Sequence, residues 1–126
     1  QTYNPMDKHD NYNLLDYSKT LYESNRHGEP YCRVGVSLDG GELTVWRFDF
    51  EEWEYNRRTG IVESSYSLDL LNTHQFCSSL KKYYSVAVVK EMKKRFGNRV
   101  SYHEFIDNFR QFCDDNGIEY NYNVWY

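Results

Sequence analysis

Three long stretches between residues 31 and 70 alternate apolar with polar side chains, and glycine-containing turns separate them. Residues two apart on a strand share a face, so this alternation is typical of strands with one buried face. The turns are Asp39-Gly40-Gly41 and the segment 56–60, and glycine tolerates the positive φ that tight hairpins need. The pattern predicts an antiparallel three-stranded meander. Its strands are expected at about residues 31–38, 42–55 and 61–70.

Beyond residue 70 the apolar residues recur every three or four positions, which is the period of a helix. Three consecutive helices are predicted there. Asn72 with Gln75 resembles a capping box for the first, Ser85 is placed to cap the second, and Ser101 with Glu104 forms an S-x-x-E capping box for the third.

The two ends of the chain complete the fold prediction. Leu14, Tyr17 and Leu21 have helical spacing and predict an N-terminal helix, which Gly28 would end. After the last helix, residues 118–126 alternate again and predict a C-terminal strand.

The order of predicted elements is typical of an α+β fold. We expect a three-stranded antiparallel meander plus a C-terminal strand, with the N-terminal helix and the three later helices packed on one face. Residues 1–12 have no periodic pattern and are predicted to be a flexible arm, which leaves 13–126 as a single domain.

The cysteines and the hydropathy of the sequence indicate the cellular compartment in which we expect the chain. Cys32, Cys77 and Cys113 form neither a CxxC pair nor an even set, so we expect buried free thiols in a reducing compartment, the cytoplasm. No apolar run approaches 18 residues, so no membrane association is predicted.

The sequence gives little support for a catalytic site or a metal site. His74 and Cys77 have the i, i+3 spacing of two ligands, and Cys113 or His103 could join them, but no second close pair completes a tetrahedral site. No nucleophile motif or phosphate-binding glycine loop is present. We therefore predict a protein that is not an enzyme and holds no metal or cofactor.

One segment combines carboxylates with aromatic rings and is the first candidate for partner binding. In this acidic-aromatic segment the acids would steer and pair with a basic protein partner while the aromatic residues anchor it. A solvated strand face is the alternative interpretation. The candidate residues are Asp49, Glu51, Glu52, Trp53, Glu54 and Tyr55.

A basic segment is the second candidate. The chain has a net charge of −4, yet residues 81–99 contain seven Lys or Arg and a single acid. Such clusters contact phosphates, so nucleic-acid binding is the alternative to binding a protein partner. A solvated helix face is the simpler interpretation of the same basic residues. The opposed charges of the two segments also allow a homodimer. The candidate nucleic-acid-binding residues are Lys90, Lys93, Lys94, Arg95 and Arg99.

The chain resembles the small inhibitor proteins of bacterial conflict, namely toxin-immunity proteins and phage anti-defence proteins. The resemblance is one of type, based on small size, acidity, many tyrosines and asparagines and no catalytic motif, and it assigns no residue. It implies a small binding protein that inhibits or occludes a protein partner.

Overall fold

The computed structural model describes residues 14–26, 29–53, 58–97 and 102–125. Its strands are β1 Tyr17–Arg26, β2 Glu29–Asp39, β3 Glu42–Trp53, β4 Arg58–Ser67 and β5 Asn121–Trp125. Its helices are α1 Leu70–Leu80, α2 Ser85–Met92, which a π-helical turn Lys93–Gly97 continues, and α3 Tyr102–Asp115. The predicted α+β class is confirmed. The predicted arm, residues 1–12, lies outside the described residues.

The five strands form one antiparallel sheet in the order β1-β2-β3-β4-β5. Asp39 pairs with Glu42 across a two-residue turn in which Gly40 and Gly41 have φ of 59° and 81°, which explains why glycine is needed at both positions. The predicted meander is therefore present and has one strand more. The three helices lie in sequence between β4 and β5.

The predicted N-terminal helix is wrong, because residues 17–26 form strand β1. Thr20 pairs with Gly35 and Tyr22 pairs with Val34, which leaves Leu21 as the extra residue of a β-bulge. The bulge shifts the inward-outward alternation by one position. Leu21 and Tyr22 therefore both contact the core although they are adjacent in sequence, and with Leu14 and Tyr17 they imitate the spacing of a helix.

The core lies between the helices and one face of the sheet. Val34 and Val36 of β2 and Val45 of β3 are fully buried and share a cluster with helical residues such as Phe76 and Phe109. On the opposite face Trp46 and Phe48 are half-buried, and their rings meet at 5.2 Å between centroids. Among the described residues, this face of the sheet has no helix packed on it.

Two of the predicted helix caps are wrong. The side chain of Asp69, rather than that of Asn72, caps α1 and accepts a hydrogen bond from the Asn72 backbone N–H at 2.8 Å. Tyr84 occupies the cap position of α2 and makes no side-chain bond there. Ser85 is instead buried and its hydroxyl donates to the carbonyl of Leu15, which ties α2 to the segment before β1.

The third predicted helix is confirmed as α3, although its predicted cap, Ser101, lies outside the described residues. Gly117 follows α3 with φ of 66°, and the Ile118 N–H donates to the Cys113 carbonyl at 2.8 Å. This turn reverses the chain toward the sheet. The predicted C-terminal strand is confirmed as β5, which is shorter than expected.

Candidate functional site

Strand β5 is an edge strand whose residues are all exposed. It pairs with β4 in unbroken register, from Ser67–Asn121 to Glu63–Trp125. Among the described residues no strand lies on its other side. Tyr122 is 55% exposed and Trp125 is 50% exposed, which is unusual for aromatic side chains on a strand. The edge therefore combines unpaired backbone groups with large apolar side chains.

A group of tyrosines fixes β5 to the rest of the fold. The Tyr66 ring lies 4.8 Å from that of Tyr122 and 5.6 Å from that of Tyr120, centroid to centroid. Arg110 of α3 lies over the Tyr66 ring at 5.5 Å, and its Nε donates to the Tyr120 hydroxyl at 3.2 Å. Burial raises the pKa of Tyr66, and Arg110 opposes this shift. These contacts hold the edge strand in place within the chain itself.

A cleft of about 330 Å³ opens on the helix side of β5. Tyr122 and Val124 form one wall, and Ile106 with Asp107 of α3 forms another. Its remaining lining residues come from β3 and β4: Arg47, Asp49, Val62, Ser64 and Tyr66.

Arg47 and Asp49 form a two-point ion pair in this cleft. The Arg47 Nε lies 2.8 Å from Asp49 Oδ2, and its Nη2 donates to Oδ1 at 3.1 Å. The two side chains stand two residues apart on β3 and therefore share a face. The charge of Asp49 is thus largely balanced by Arg47 inside the chain.

A second hollow of about 380 Å³ lies at the start of β5. Three acids from different parts of the chain line it, namely Asp69, Asp114 and Glu119. Asn72 braces it, because its Oδ1 accepts a hydrogen bond from the Glu119 backbone N–H at 2.9 Å. We call strand β5, the cleft and this acidic hollow together the β5 surface.

The acidic-aromatic segment is only partly described. Asp49 lies in the cleft and so belongs to the β5 surface. The β3–β4 pairing continues through Glu51–Gly60, Glu52–Thr59 and Trp53–Arg58, but the side chains of these β3 residues lie outside what is described. Glu54 and Tyr55 also lie outside the described residues. The partner-binding role of all six residues stays a prediction.

The basic segment forms an exposed surface along α2 and the π-helical turn. Lys90 and Lys94 are exposed. The Lys93 ammonium lies 5.8 Å from the centre of the Tyr22 ring. Arg95 lies 3.4 Å from the Glu91 carboxylate and 5.5 Å from the centre of the Phe112 ring, so it is engaged within the chain. Arg99 lies outside the described residues.

The predicted burial of the three cysteines is confirmed. Burial raises the pKa of Cys113 to about 12, so its thiol is protonated at neutral pH and is a poor nucleophile. Within the described ranges no three His, Cys, Asp or Glu side chains cluster as metal ligands. No helix in those ranges is long and apolar enough to cross a membrane.

Comparison of the chain with protein-family models, with curated proteins and with solved structures finds no match. The function is therefore inferred from the geometry of the chain itself.

Sequence reasoning placed β5 correctly as a strand but did not select it as a site. Tyr122, Trp125 and Asp107 gain their importance from the position of β5 at the sheet edge, which depends on strand order. One feature of the sequence could have indicated this site. The strand sequence Asn-Tyr-Asn-Val-Trp has no lysine or proline, the residues that usually protect an edge.

Proposed function

We propose that the chain is a non-enzymatic binding protein that occludes a basic protein partner with the β5 surface. The observation that carries this proposal is the exposed aromatic edge strand, with Tyr122, Val124 and Trp125 all at least 36% exposed. Aromatic residues are enriched among those that contribute most to protein interfaces. Val124 shares the cleft face of β5 with Tyr122, and Trp125 projects from the opposite face.

The charge around β5 supports a basic partner. Residues 104–125 contain five acids and one base, Arg110, which is engaged with Tyr66 and Tyr120. Asp107 stands in the cleft and Glu119 in the acidic hollow. Negative potential on both sides of an apolar strand would speed association with a positively charged surface. This arrangement agrees with the inhibitor type that the chain resembles.

Site-specific photocrosslinking tests the proposal. A benzophenone amino acid at position 125 is compared with the same group at position 71, since Leu71 is 76% exposed on α1. We expect position 125 to capture a basic protein from the lysate of the source organism and position 71 not to do so. The captured protein is then purified and its binding measured by calorimetry.

The calorimetry gives the decisive comparison. We expect Tyr122→Ala and Trp125→Ala each to weaken binding about 30-fold, which corresponds to about 2 kcal/mol at an interface hot spot. Leu71→Ala is the matched control and should leave Kd within about twofold of wild type. Equal affinities for all four proteins would overturn the proposal.

Nucleic-acid binding is the second candidate, favoured by the exposed run of Lys90, Lys93 and Lys94. Lys93 of this run contacts the Tyr22 ring, and the neighbouring Arg95 pairs with Glu91, both within the chain itself. Fluorescence polarisation with labelled duplex and single strands at about 50 and 200 mM salt tests it. Binding at low salt that collapses at high salt, and is lost in Lys90→Glu/Lys94→Glu, would support this function.

A further inference from the structure

The two edges of the sheet differ in how open they are to another strand. Edge strand β1 has register shifts between Thr20 and Tyr22 and between Ser24 and Asn25. It also exposes the charged residues Lys19 and Glu23. Bulges and charges are the usual protection of an edge against pairing. One edge of the sheet is therefore blocked.

The β5 edge has none of this protection in the described residues. Its pairing with β4 is regular over five residue pairs, and the strand Asn121–Trp125 contains no charge and no proline. An uninterrupted strand of this kind presents a row of backbone donors and acceptors to a sixth strand. Tyr122 and Val124 face the cleft, where alternate side chains of an added strand would contact them.

We infer that an extended segment of the partner, rich in lysine or arginine, adds to the sheet as a sixth strand alongside β5. This inference rests on the proposed function and specifies how the partner binds. The acidic hollow at the start of β5 and Asp107 in the cleft give the segment's basic side chains two places to pair. Main-chain hydrogen bonds would supply affinity, and the cleft and the acidic hollow would supply selectivity.

A second copy of the chain fits this edge less well. Two β5 strands related by a two-fold axis would run antiparallel and would bring the cleft beside the middle of one strand, with its Asp107, next to the same cleft of the other copy. Like charges placed opposite one another disfavour pairing. A basic segment has the opposite charge and meets no such repulsion.

The test begins with a phage-displayed library of random dodecapeptides panned on the purified protein. We expect enriched peptides that alternate apolar with basic residues and bind wild type at least tenfold more tightly than Tyr122→Ala/Trp125→Ala. Leu71→Ala is the control and should bind them like wild type. Sedimentation velocity of the protein alone should show a monomer, and a dimer that Trp125→Ala dissolves would overturn the inference.

N-methylation of the best peptide then separates strand addition from other modes of binding. Only alternate amides of an added strand point toward β5, so methylating one alternate set should weaken binding about tenfold or more, while methylating the other set should change it little. Alternate amides of β5 should also gain protection from hydrogen exchange when the peptide binds. Peptides that bind without this alternation, or a library that yields no binder, would overturn strand addition. The photocrosslinking result at position 125 would still decide the proposed function separately.

Discussion

The six-membered ring of Trp46 occupies the space that a side chain at Gly35 would fill. The two residues pair across β2 and β3, and a β-carbon at position 35 would overlap both this ring and the backbone carbonyl oxygen of Lys19. The indole cannot swing aside easily, because its Nε1 donates to the Ser37 hydroxyl at 2.8 Å. On the uncovered face of the sheet, the Trp46 ring can therefore pack over β2 only because residue 35 has no side chain.

Gly35→Ala should therefore destabilise the fold. We expect a loss of about 1–3 kcal/mol in the free energy of unfolding, since neither the backbone carbonyl nor the anchored indole can yield cheaply. Urea unfolding followed by Trp fluorescence measures it. Lys19→Ala is the matched control on the adjacent strand and should change stability by less than about 0.5 kcal/mol. Equal stabilities for the two variants would contradict the close packing described.

Thr73→Val should destabilise the protein more than Thr73→Ser. The buried Thr73 hydroxyl accepts from the Leu43 N–H at 3.1 Å and donates to the Leu68 carbonyl at 3.3 Å, which joins α1 to the sheet. Valine fills the same space but removes both bonds, at a cost of about 1–3 kcal/mol. Serine keeps the hydroxyl and loses one methyl group, at about 1 kcal/mol. Chemical denaturation of both variants gives the order, and the reverse order would remove this role of Thr73.

Asp69 should make stability depend on pH in the acid range. Hydrogen bonds from the Asn72 backbone and then its side chain hold the pKa of Asp69 below its usual value of 3.8. Because the folded pKa is the lower one, the stabilisation is complete above the unfolded value and is lost as pH falls through the folded value. Melting temperatures between about pH 2 and pH 6 should therefore fall more steeply for wild type than for Asp69→Asn, whose amide oxygen caps α1 at every pH. Parallel curves would contradict this assignment.

The three cysteine thiols should not react with thiol reagents in the native state. Burial raises the pKa of Cys113 to about 12, so the reactive thiolate is scarce at pH 8, and burial also denies the reagent access. We expect Ellman's reagent to release no colour from the native protein and to report three thiols in denaturant. Leu71→Cys places a thiol at an exposed position of α1 and should react at once. Rapid reaction of the native wild type would show that a cysteine is accessible.

Trp125→Ala should separate binding from folding. The side chain is 50% exposed at the edge of the sheet, so its loss should change the free energy of unfolding by no more than about 1 kcal/mol. Thermal melts should therefore nearly overlap with those of wild type. A large drop in stability would mean that any loss of binding in this variant reports on folding instead.

The parts of the fold that local patterns determine were predicted correctly. The alternation in β2, the turn at Gly40 and Gly41 and the apolar stripe of α3 depend on neighbours in sequence, and all three agree with the structure. The first strand was missed because the bulge at Leu21 broke its alternation. A bulge is visible only when the partner strand is known, and a single sequence does not supply that partner.

The candidate site was less predictable than the fold. The search for a charged aromatic segment selected Asp49, whose charge the structure pairs with that of Arg47. The β5 surface combines Asp69, Asp107 and Tyr122, which are far apart in sequence and meet only through the order of strands. Edge position, which makes Tyr122 and Trp125 available, is a property of the whole sheet and leaves only a weak trace in composition.

The place of β5 in the chain has a consequence for the order of folding. Strands β1 to β4 follow one another through short connections, whereas Ser67 and Asn121 pair only after residues 68–120 have closed a loop around the helices. Contacts between residues so distant in sequence carry the larger loop-closure cost and form late. Until α3 and β5 have docked, Tyr66 has neither Arg110 above it nor Tyr122 beside it. Strand β5 is thus completed only in molecules that have finished folding, so under the proposed function a partially folded chain would not bind a partner.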